Sequence, residues 1–259
     1  MKTLIYQFWS GKMPEYARAS RHLFKDYARS IGAEYRFDEN PRFFRVRYAR
    51  YYHSLRPVFD ADFHAYDRVL FADMDVFPVE ELRRNVFDEP VDHVALVQEP
   101  EQDELRKIRV GNINLENDRR WAAYVERKWN LNVPRGPAGN PDVFNTGVIL
   151  YSRSGMEAGR ALFPSPRSYM FWMKIKRFPW FYRIDQNYLS AFAFLPGMRF
   201  SRLNQDWNSQ IFSTPLAAGG MRHDDFRTPD SALVHFQYYR RNKMNVEEIL
   251  AMVNDADRA

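Results

Sequence analysis

The order of apolar segments along the chain is the feature that most restricts its fold. Short apolar runs predict strands over 3–9, 34–37 and 68–72. Helical spacing of apolar residues predicts helices over 14–31 and 45–59, the second interrupted near Pro57. An alternation of strand and helix is typical of α/β folds with a largely parallel sheet. We therefore predict an α/β fold in which a mostly parallel central sheet is flanked by helices.

The remainder of the chain continues this alternation. Further strands are expected near 94–97, 143–151 and 232–237, and further helices near 118–129 and 184–194. A terminal amphipathic helix is expected at 245–256, with Asn245 as its N-cap. Because no linker-like stretch separates these segments, we predict one domain over 1–259.

The composition excludes several classes of protein. Among 259 residues, 21 Phe, 15 Tyr and 6 Trp carry more apolar surface than a disordered chain leaves in water. The absence of cysteine excludes thiol catalysis, disulfide scaffolds and cysteine-ligated zinc. No run approaches the ~18–20 apolar residues of a membrane span, so we expect a soluble, cytoplasmic protein. The net charge of +5 indicates an anionic partner, either a nucleic acid, an anionic lipid surface or a phosphorylated substrate.

The clearest candidate for chemistry is Asp73-Met74-Asp75, which follows the apolar strand 68–72 directly. Residues two apart on an extended chain point the same way, so both carboxylates can face one cation. Open α/β sheets bind their ligands at the carboxyl ends of their strands. Hard oxygen ligands favour Mg²⁺ or Mn²⁺, and either ion could bind the phosphates of a nucleotide. The alternative is a polar turn after a strand, a position that Asp also favours.

Three other segments could contribute polar groups, and each has a simpler explanation. Asn145-Thr146-Gly147 could approach a ligand closely or could be an ordinary turn before a strand. Asp185, which precedes Gln186, could bind a ligand or cap the helix that begins there. His235 on a late apolar strand could complete a metal site or could be a hydrogen-bonded core residue.

Taken together and in this order, these segments resemble the metal-dependent GT-A glycosyltransferases, and most closely glycosyltransferase family 8. Members of that family have a strand ending in Asp-x-Asp, a Phe-Asn-x-Gly-Val segment, an Asp-Gln pair and a late histidine. The matching residues here are Asp73 and Asp75, 144–148, Asp185 with Gln186, and His235. The resemblance extends from Tyr6 to about Lys243, although only through scattered motifs.

The resemblance implies a role for each matched residue. Asp73, Asp75 and His235 would hold Mn²⁺ or Mg²⁺ on the diphosphate of a nucleotide sugar. UDP is the usual nucleotide of the donors in this family. Tyr6 and Gln7 would line the base pocket, and Arg50 would lie near the donor. Asn145 and Asp185 would bind the donor sugar or the acceptor, and Gln186 would lie beside the anomeric carbon.

The resemblance also implies the reaction. Family 8 enzymes retain the anomeric configuration and transfer a hexose to a glycan or glycolipid acceptor, as in polysaccharide biosynthesis. No second carboxylate is an obvious nucleophile here, so a front-face mechanism assisted by the leaving phosphate is favoured. The family follows its late histidine with Gly and Lys-Pro-Trp, whereas here 236–243 differ. Arg240, Arg241 or Lys243 could replace the missing diphosphate contact.

The segment 169–183 is both aromatic and basic. It could lie on an anionic membrane surface, which would place the protein peripherally at the inner membrane. It could also stack on an acceptor glycan, or it could be a helix that packs on the core and exposes its basic side.

Three other functions remain open from the sequence. A sugar nucleotidyltransferase would need a glycine-rich basic loop after its first strand, and Ser10-Gly11-Lys12 has a single glycine. A nucleic-acid-binding module would bind without divalent metal and lose affinity with salt. A non-catalytic glycan-binding relative would keep the fold without metal. We expect the glycosyltransferase, without nucleic acid as a partner.

Overall fold

The fold was analysed in a computed structural model that describes residues 1–45, 49–238 and 241–255. The strands in these ranges are β1 (Thr3–Trp9), β2 (Glu34–Glu39), β3 (Arg68–Ala72), β4 (Val76–Pro78), β5 (Val94–Gln98), β6 (Phe144–Ser152), β7 (Phe200–Arg202), β8 (Ser209–Pro215), β9 (Met221–Asp225) and β10 (Leu233–Gln237). The helices are α1 (Glu15–Ser30), α2 (Ala49–Tyr52), α3 (Arg56–Phe59), α4 (Gln102–Ile108), α5 (Leu115–Trp129), α6 (Arg153–Leu162), α7 (Pro166–Ile175), α8 (Asp185–Phe192) and α9 (Val246–Asn254).

The central sheet has six strands in the order β2-β1-β3-β6-β5-β7. Strands β1, β2 and β3 are parallel, as are β5 and β7, and β6 runs antiparallel to both of its neighbours. Five of these six strands therefore share one direction, and the predicted mostly parallel sheet is confirmed. Both faces of the sheet are buried, because Leu4 and Tyr6 pack in one apolar cluster while Ile5 packs in the other.

A second sheet of four strands, in the order β4-β10-β8-β9, was not predicted. Strand β4 is a continuation of the chain just after Asp75, and it pairs antiparallel with β10. Strands β8 and β9 alternate polar and apolar residues only weakly, so their sequences carried little strand signal. Helices α9 and α1 pack against this sheet in an apolar cluster that includes Ala17, Phe77 and Ile249.

Several predicted element boundaries agree with the structure. Helix α1 begins after Pro14 and stops before Gly32, whose φ of +69° places it in the left-handed region. Helix α9 is capped as predicted, since Asn245 Oδ1 accepts from the backbone N–H of Glu248 at 2.7 Å. It ends at Asn254, and 256 lies outside the described residues.

The helix predicted over 45–59 is interrupted near Pro57, as expected, but it is divided into more pieces than predicted. Residues 46–48 lie outside the described part, and the remainder is divided into α2, a 3-10 turn over His53–Leu55 and α3. Pro57 near the start of α3 has no backbone N–H to donate, which favours a new helix start over continuation.

Throughout the described residues, the structure contains no helix that combines the length and the apolarity needed to cross a membrane.

Candidate active site

The two sheets meet at Asp73 and Asp75, which occupy the turn between β3 and β4. The backbone N–H of Asp73 donates to the carbonyl of Gly147 on β6 at 2.7 Å. Strand β10 lies on the other side, where the N–H of Phe236 donates to the carbonyl of Asp75 at 2.8 Å. Because His235 is paired with Val76, its side chain lies beside the Asp75 carboxylate.

The structure therefore brings together the three predicted metal ligands. One donor atom from each of Asp73, Asp75 and His235 lies within 4.8 Å of the others. His235 Nε2 is 3.2 Å from Asp75 Oδ1, and Arg241 lies 2.8 Å from Asp75 Oδ2. Two carboxylates and an imidazole are a donor set that fits Mn²⁺ or Mg²⁺.

A chain of hydrogen bonds fixes which nitrogen of His235 carries its proton. Asn145 Oδ1 accepts from the backbone N–H of Gly147 at 2.8 Å, so this atom is the carbonyl oxygen. Asn208 must then donate its amide to Asn145, at 2.9 Å, and present its oxygen to His235 Nδ1, at 3.1 Å. His235 Nδ1 therefore carries a proton, and its Nε2 lies 3.2 Å from Asp75 Oδ1 and 3.0 Å from Gln237 Nε2. A histidine held in this way is suited to bind a metal through Nε2.

Gly147 is required by the position of this histidine. A Cβ atom at 147 would lie 2.2 Å from His235 Cε1 and 2.9 Å from Asn145 Oδ1. Any larger residue would push the imidazole away from Asp75. The glycine of the Asn-Thr-Gly segment thus serves close packing against the site rather than a turn.

The two aspartates differ in their electrostatic environment. Burial opposes ionisation of Asp75, but Arg241 and His235 outweigh it and lower the pKa of Asp75 to about 2. Burial, together with the charges of Asp75 and Asp185, raises the pKa of Asp73 well above its ordinary value. The negative charge that both aspartates would carry when ionised is therefore not fully compensated by the protein, and a divalent cation would compensate it.

A cavity of about 440 Å³ opens above the aspartates at the carboxyl edge of the central sheet. Twenty side chains line it, among them Asp73, Asp75, Asn145, Asp185, Gln186, His235, Arg50 and Arg241. A smaller cavity of about 250 Å³ shares the two aspartates and both arginines, and it extends towards Phe8, Trp9 and Tyr16.

The start of α8 also lines the cavity, through Asp185 and Gln186. Ser54 donates to Asp185 Oδ2 at 2.7 Å, and Gln186 Nε2 donates to Glu99 Oε1 at 2.5 Å. Burial raises the pKa of Asp185 to about 7, although hydrogen bonds from Ser54 and from the backbone N–H of Gln186 act in the opposite direction. Asp185 does not cap α8 through its side chain, because Ile184 is the N-cap residue.

Three predicted donor-binding residues are placed elsewhere. Tyr6 and Gln7 are fully buried and line neither cavity, because they lie inside β1 with packed elements on both faces. Gln7 instead donates to the carbonyl of Asp73 at 3.3 Å. Lys243 is exposed and does not line either cavity, whereas Arg241 does. Arg240 lies outside the described residues.

Several cavity residues were missed by the sequence analysis. Phe8 and Trp9 follow Gln7 at the carboxyl end of β1, and Glu99 follows the end of β5. Ligands of open α/β sheets bind at the carboxyl ends of the parallel strands, which is the rule applied above to Asp73. The same rule, applied to β1 and β5, would have identified these positions. Asn208, which lines neither cavity but contacts His235, lies in a 3-10 turn before β8 and gave no comparable signal.

Comparison with solved structures shows which known fold this arrangement shares. A glycosyltransferase involved in the glycosylation of the major capsid of PBCV-1 aligns with a TM-score of 0.54 at 14% sequence identity, over 97% of this chain and 98% of that chain. The galactosyltransferase LgtC, in complex with donor and acceptor sugar analogues, aligns with a TM-score of 0.49 at 16% identity, over 97% and 96% of the two chains. No family model matches the sequence, and no curated protein matches it. The chain has the fold of GT-A glycosyltransferases, as predicted from the sequence.

Proposed function

We propose that the protein is a retaining, metal-dependent glycosyltransferase that transfers a hexose from a nucleotide sugar, with UDP as the expected nucleotide, to a glycan or lipid-linked acceptor. The observation that carries this proposal is the cluster of Asp73, Asp75 and His235 in the lining of the 440 Å³ cavity. The cluster lies at the carboxyl edge of a sheet with the GT-A fold, where ligands of open α/β sheets bind.

The ligand cluster and its neighbours fit a diphosphate. Asp73, Asp75 and His235 would hold Mn²⁺ or Mg²⁺, which would stabilise negative charge on the departing diphosphate. Arg241 pairs with Asp75, and its buried Nε has no hydrogen-bond partner among the described residues. That N–H, together with the exposed guanidinium of Arg50, is suited to bind phosphate oxygens.

The smaller cavity fits the nucleoside part of the donor. Phe8, Trp9 and Tyr16 provide aromatic surface for a base, since every base has a face that stacks on aromatic rings. The buried Trp9 Nε1–H has no acceptor among the described residues, so a ligand oxygen could accept from it.

The larger cavity fits the transferred sugar and the acceptor. Asn145 uses Oδ1 within the protein, which leaves its amide NH₂ for a sugar hydroxyl. Asp185 and Glu99 offer carboxylate oxygens on the same side. Gln186 is an amide and a weak nucleophile, so we propose that the diphosphate oxygen assists attack by the acceptor from the same face, with retention.

The apolar end of the larger cavity is the proposed acceptor site. Ile113, Trp180 and Phe181 line it, and the half-exposed indole of Trp180 is available to stack on a sugar ring. Arg109 lines the same cavity. Burial and the nearby Arg106 lower its pKa, so its charge would be better accommodated by a polar or acidic group of the acceptor.

Thermal melting with nucleotides and metal tests the donor site. We expect UDP to raise the melting temperature only when Mn²⁺ is present and not when EDTA is added, because binding to the folded state stabilises it. Asp75→Ala should lose this shift, and Asp62→Ala, which removes an exposed carboxylate, should keep it. No shift with UDP, GDP or CDP and either metal would refute the donor site.

A second experiment tests the stereochemistry. A nucleotide sugar that gives a melting shift would be incubated with the protein, and the anomeric configuration of the product or of the hydrolysed sugar would be followed by NMR. Retention of the donor configuration supports the proposal, and inversion contradicts it.

A further inference from the structure

Helix α7 exposes apolar side chains that nothing in the described structure covers. Phe171 and Ile175 are 55% and 50% exposed, while Tyr169 and Met173 on the opposite side of the helix are fully buried. Arg167, Phe171, Lys174 and Ile175 follow the i, i+4, i+7, i+8 spacing and therefore share one stripe of the helix. The stripe is thus apolar and basic, and it faces solvent.

The neighbouring surface is basic as well. A groove of about 310 Å³ between α5 and the chain after α7 is lined by Arg120, Arg127 and Lys176 together with Ala123, Tyr124 and Phe178. Lys128 Nζ lies 3.9 Å from the ring centroid of Trp172, which places the end of α5 against α7. We refer to Arg120, Arg127, Lys128, Arg167, Phe171, Lys174, Ile175 and Lys176 as the α5–α7 face.

The charges of this face are not neutralised. None of its six cations forms an ion pair among the described residues, and 166–183 contains five basic residues and no acid. Glu126 on α5 is engaged elsewhere, since both of its carboxylate oxygens accept from Arg135. A surface that combines exposed aromatic and aliphatic side chains with uncompensated cations complements an anionic lipid headgroup layer over an acyl boundary.

We propose that the α5–α7 face binds the surface of membranes that contain anionic lipids. Phe171 and Ile175 enter the boundary between headgroups and acyl chains, and the surrounding lysines and arginines contact lipid phosphates. The proposal does not depend on the proposed glycosyl transfer, because the residues of this face lie outside the two cavities described above.

Vesicle co-sedimentation of the full chain tests the proposal. We expect the protein to sediment with phosphatidylcholine vesicles that contain phosphatidylglycerol and to remain in solution with phosphatidylcholine alone. The double variant Lys174→Glu, Lys176→Glu should lose about tenfold or more in affinity, since each cation near an anionic surface contributes to binding. The double variant Lys25→Glu, Arg83→Glu changes the net charge equally at exposed positions outside the face and should bind as the wild type does.

A separate measurement tests insertion of the apolar residues. Phe171→Ser with Ile175→Ser should weaken binding even in high salt, where the contribution of the cations is screened. Where a variant does not fold, quenching by brominated lipids is compared between the wild type and Trp172→Phe, because only the signal lost in Trp172→Phe comes from this helix.

Three outcomes would overturn the proposal. Equal binding to vesicles without anionic lipid would show that the cations do not select the membrane. Equal loss of binding in the Lys25 and Arg83 control would show that only net charge matters. Binding to a soluble anionic polysaccharide but to no vesicle would make the face a glycan-binding surface instead. None of these results would alter the UDP and Mn²⁺ melting test.

Discussion

At the scale of single residues, the orientation of His235 depends on a backbone N–H of the other sheet. Gly147 determines which end of the Asn145 amide is the oxygen, Asn145 determines the orientation of Asn208, and Asn208 determines the tautomer of His235. Asn208 touches no part of the cavity, so it acts through the histidine as a positioning residue.

Substitution of Asn208 should separate positioning from folding. Asn208→Leu removes the acceptor for His235 Nδ1–H and should lower Mn²⁺ affinity by about 10–100-fold, the usual cost of losing such a partner. Asn208→Asp keeps an acceptor for that proton but loses the donor to Asn145 Oδ1, so it should recover only part of the affinity. Manganese titration followed by electron paramagnetic resonance measures both. Equal affinities in the two variants would contradict the proposed role of Asn208.

Asp185 should make stability depend on pH in the metal-free protein. Its pKa is about 7 in the folded state and 3.8 ordinarily, so between these values the folded state binds the extra proton. Stability from this group is present at low pH and is lost as the pH rises towards 7. Asp185→Asn keeps an oxygen acceptor for Ser54 but has no charge to bury. We therefore expect its free energy of unfolding, relative to wild type, to increase by up to about 4 kcal/mol from pH 4 to pH 8.

Urea unfolding in EDTA across this pH range measures the difference. Parallel pH profiles for the wild type and Asp185→Asn would show that the carboxylate ionises as easily in the folded protein as in the unfolded chain.

At the scale of elements, helix α6 packs unusually closely on the strand that leads to the site. Ser152 caps the helix by accepting from the N–H of Gly155, and Gly155 faces the backbone of His93, just before β5. A Cβ atom at 155 would lie 1.8 Å from the His93 carbonyl oxygen. The helix and the strand can therefore approach this closely only with glycine at that position.

Gly155→Ala should be strongly destabilising. Since the clash involves backbone rather than a movable side chain, α6 must shift, and we expect a loss of about 3 kcal/mol in the free energy of unfolding. Gly136→Ala is the matched control: its Cβ would lie 3.2 Å from Asp142 Oδ1, a side-chain atom, and we expect a change below about 1 kcal/mol. Equal stability of the two variants in urea would mean that α6 is not held as closely as the structure indicates.

At the scale of the whole molecule, the two sheets share both a core and a site. One apolar cluster combines Ile5 and Leu70 of the central sheet with Leu233 of the smaller sheet. The proposed metal ligands are divided in the same way, since the aspartates follow β3 and the histidine lies on β10. The sheets are therefore not expected to unfold separately.

We predict a single unfolding transition. Far-UV circular dichroism, which reports helices and strands, and near-UV circular dichroism, which reports aromatic packing, should give the same midpoint. UDP with Mn²⁺ should shift both signals together. Two separated transitions would instead indicate two units, and the prediction of one domain would then be wrong.

The elements that could be predicted from the sequence are those marked by a pattern among neighbouring residues. Short apolar runs located β1, β3, β6 and β10, and Pro14 and Gly32 marked the ends of α1. Asp73 and Asp75 could be found as a pair because a strand places residues two apart on one side. Such signals depend only on the backbone geometry of neighbouring residues, so they can be recognised without knowledge of the tertiary structure.

What only the tertiary structure decided is which distant residues meet. The pairing of β10 with β4 brings His235 to Asp75, and Asn208 reaches that histidine through the turn before β8. Strand β1 reaches the cavity with Phe8 and Trp9 rather than with Tyr6 and Gln7, because the sheet is buried on both faces up to its edge. These contacts depend on which strands pair and on which strand ends other elements leave uncovered. Both are determined by residues far away in the sequence, so the local sequence does not predict them.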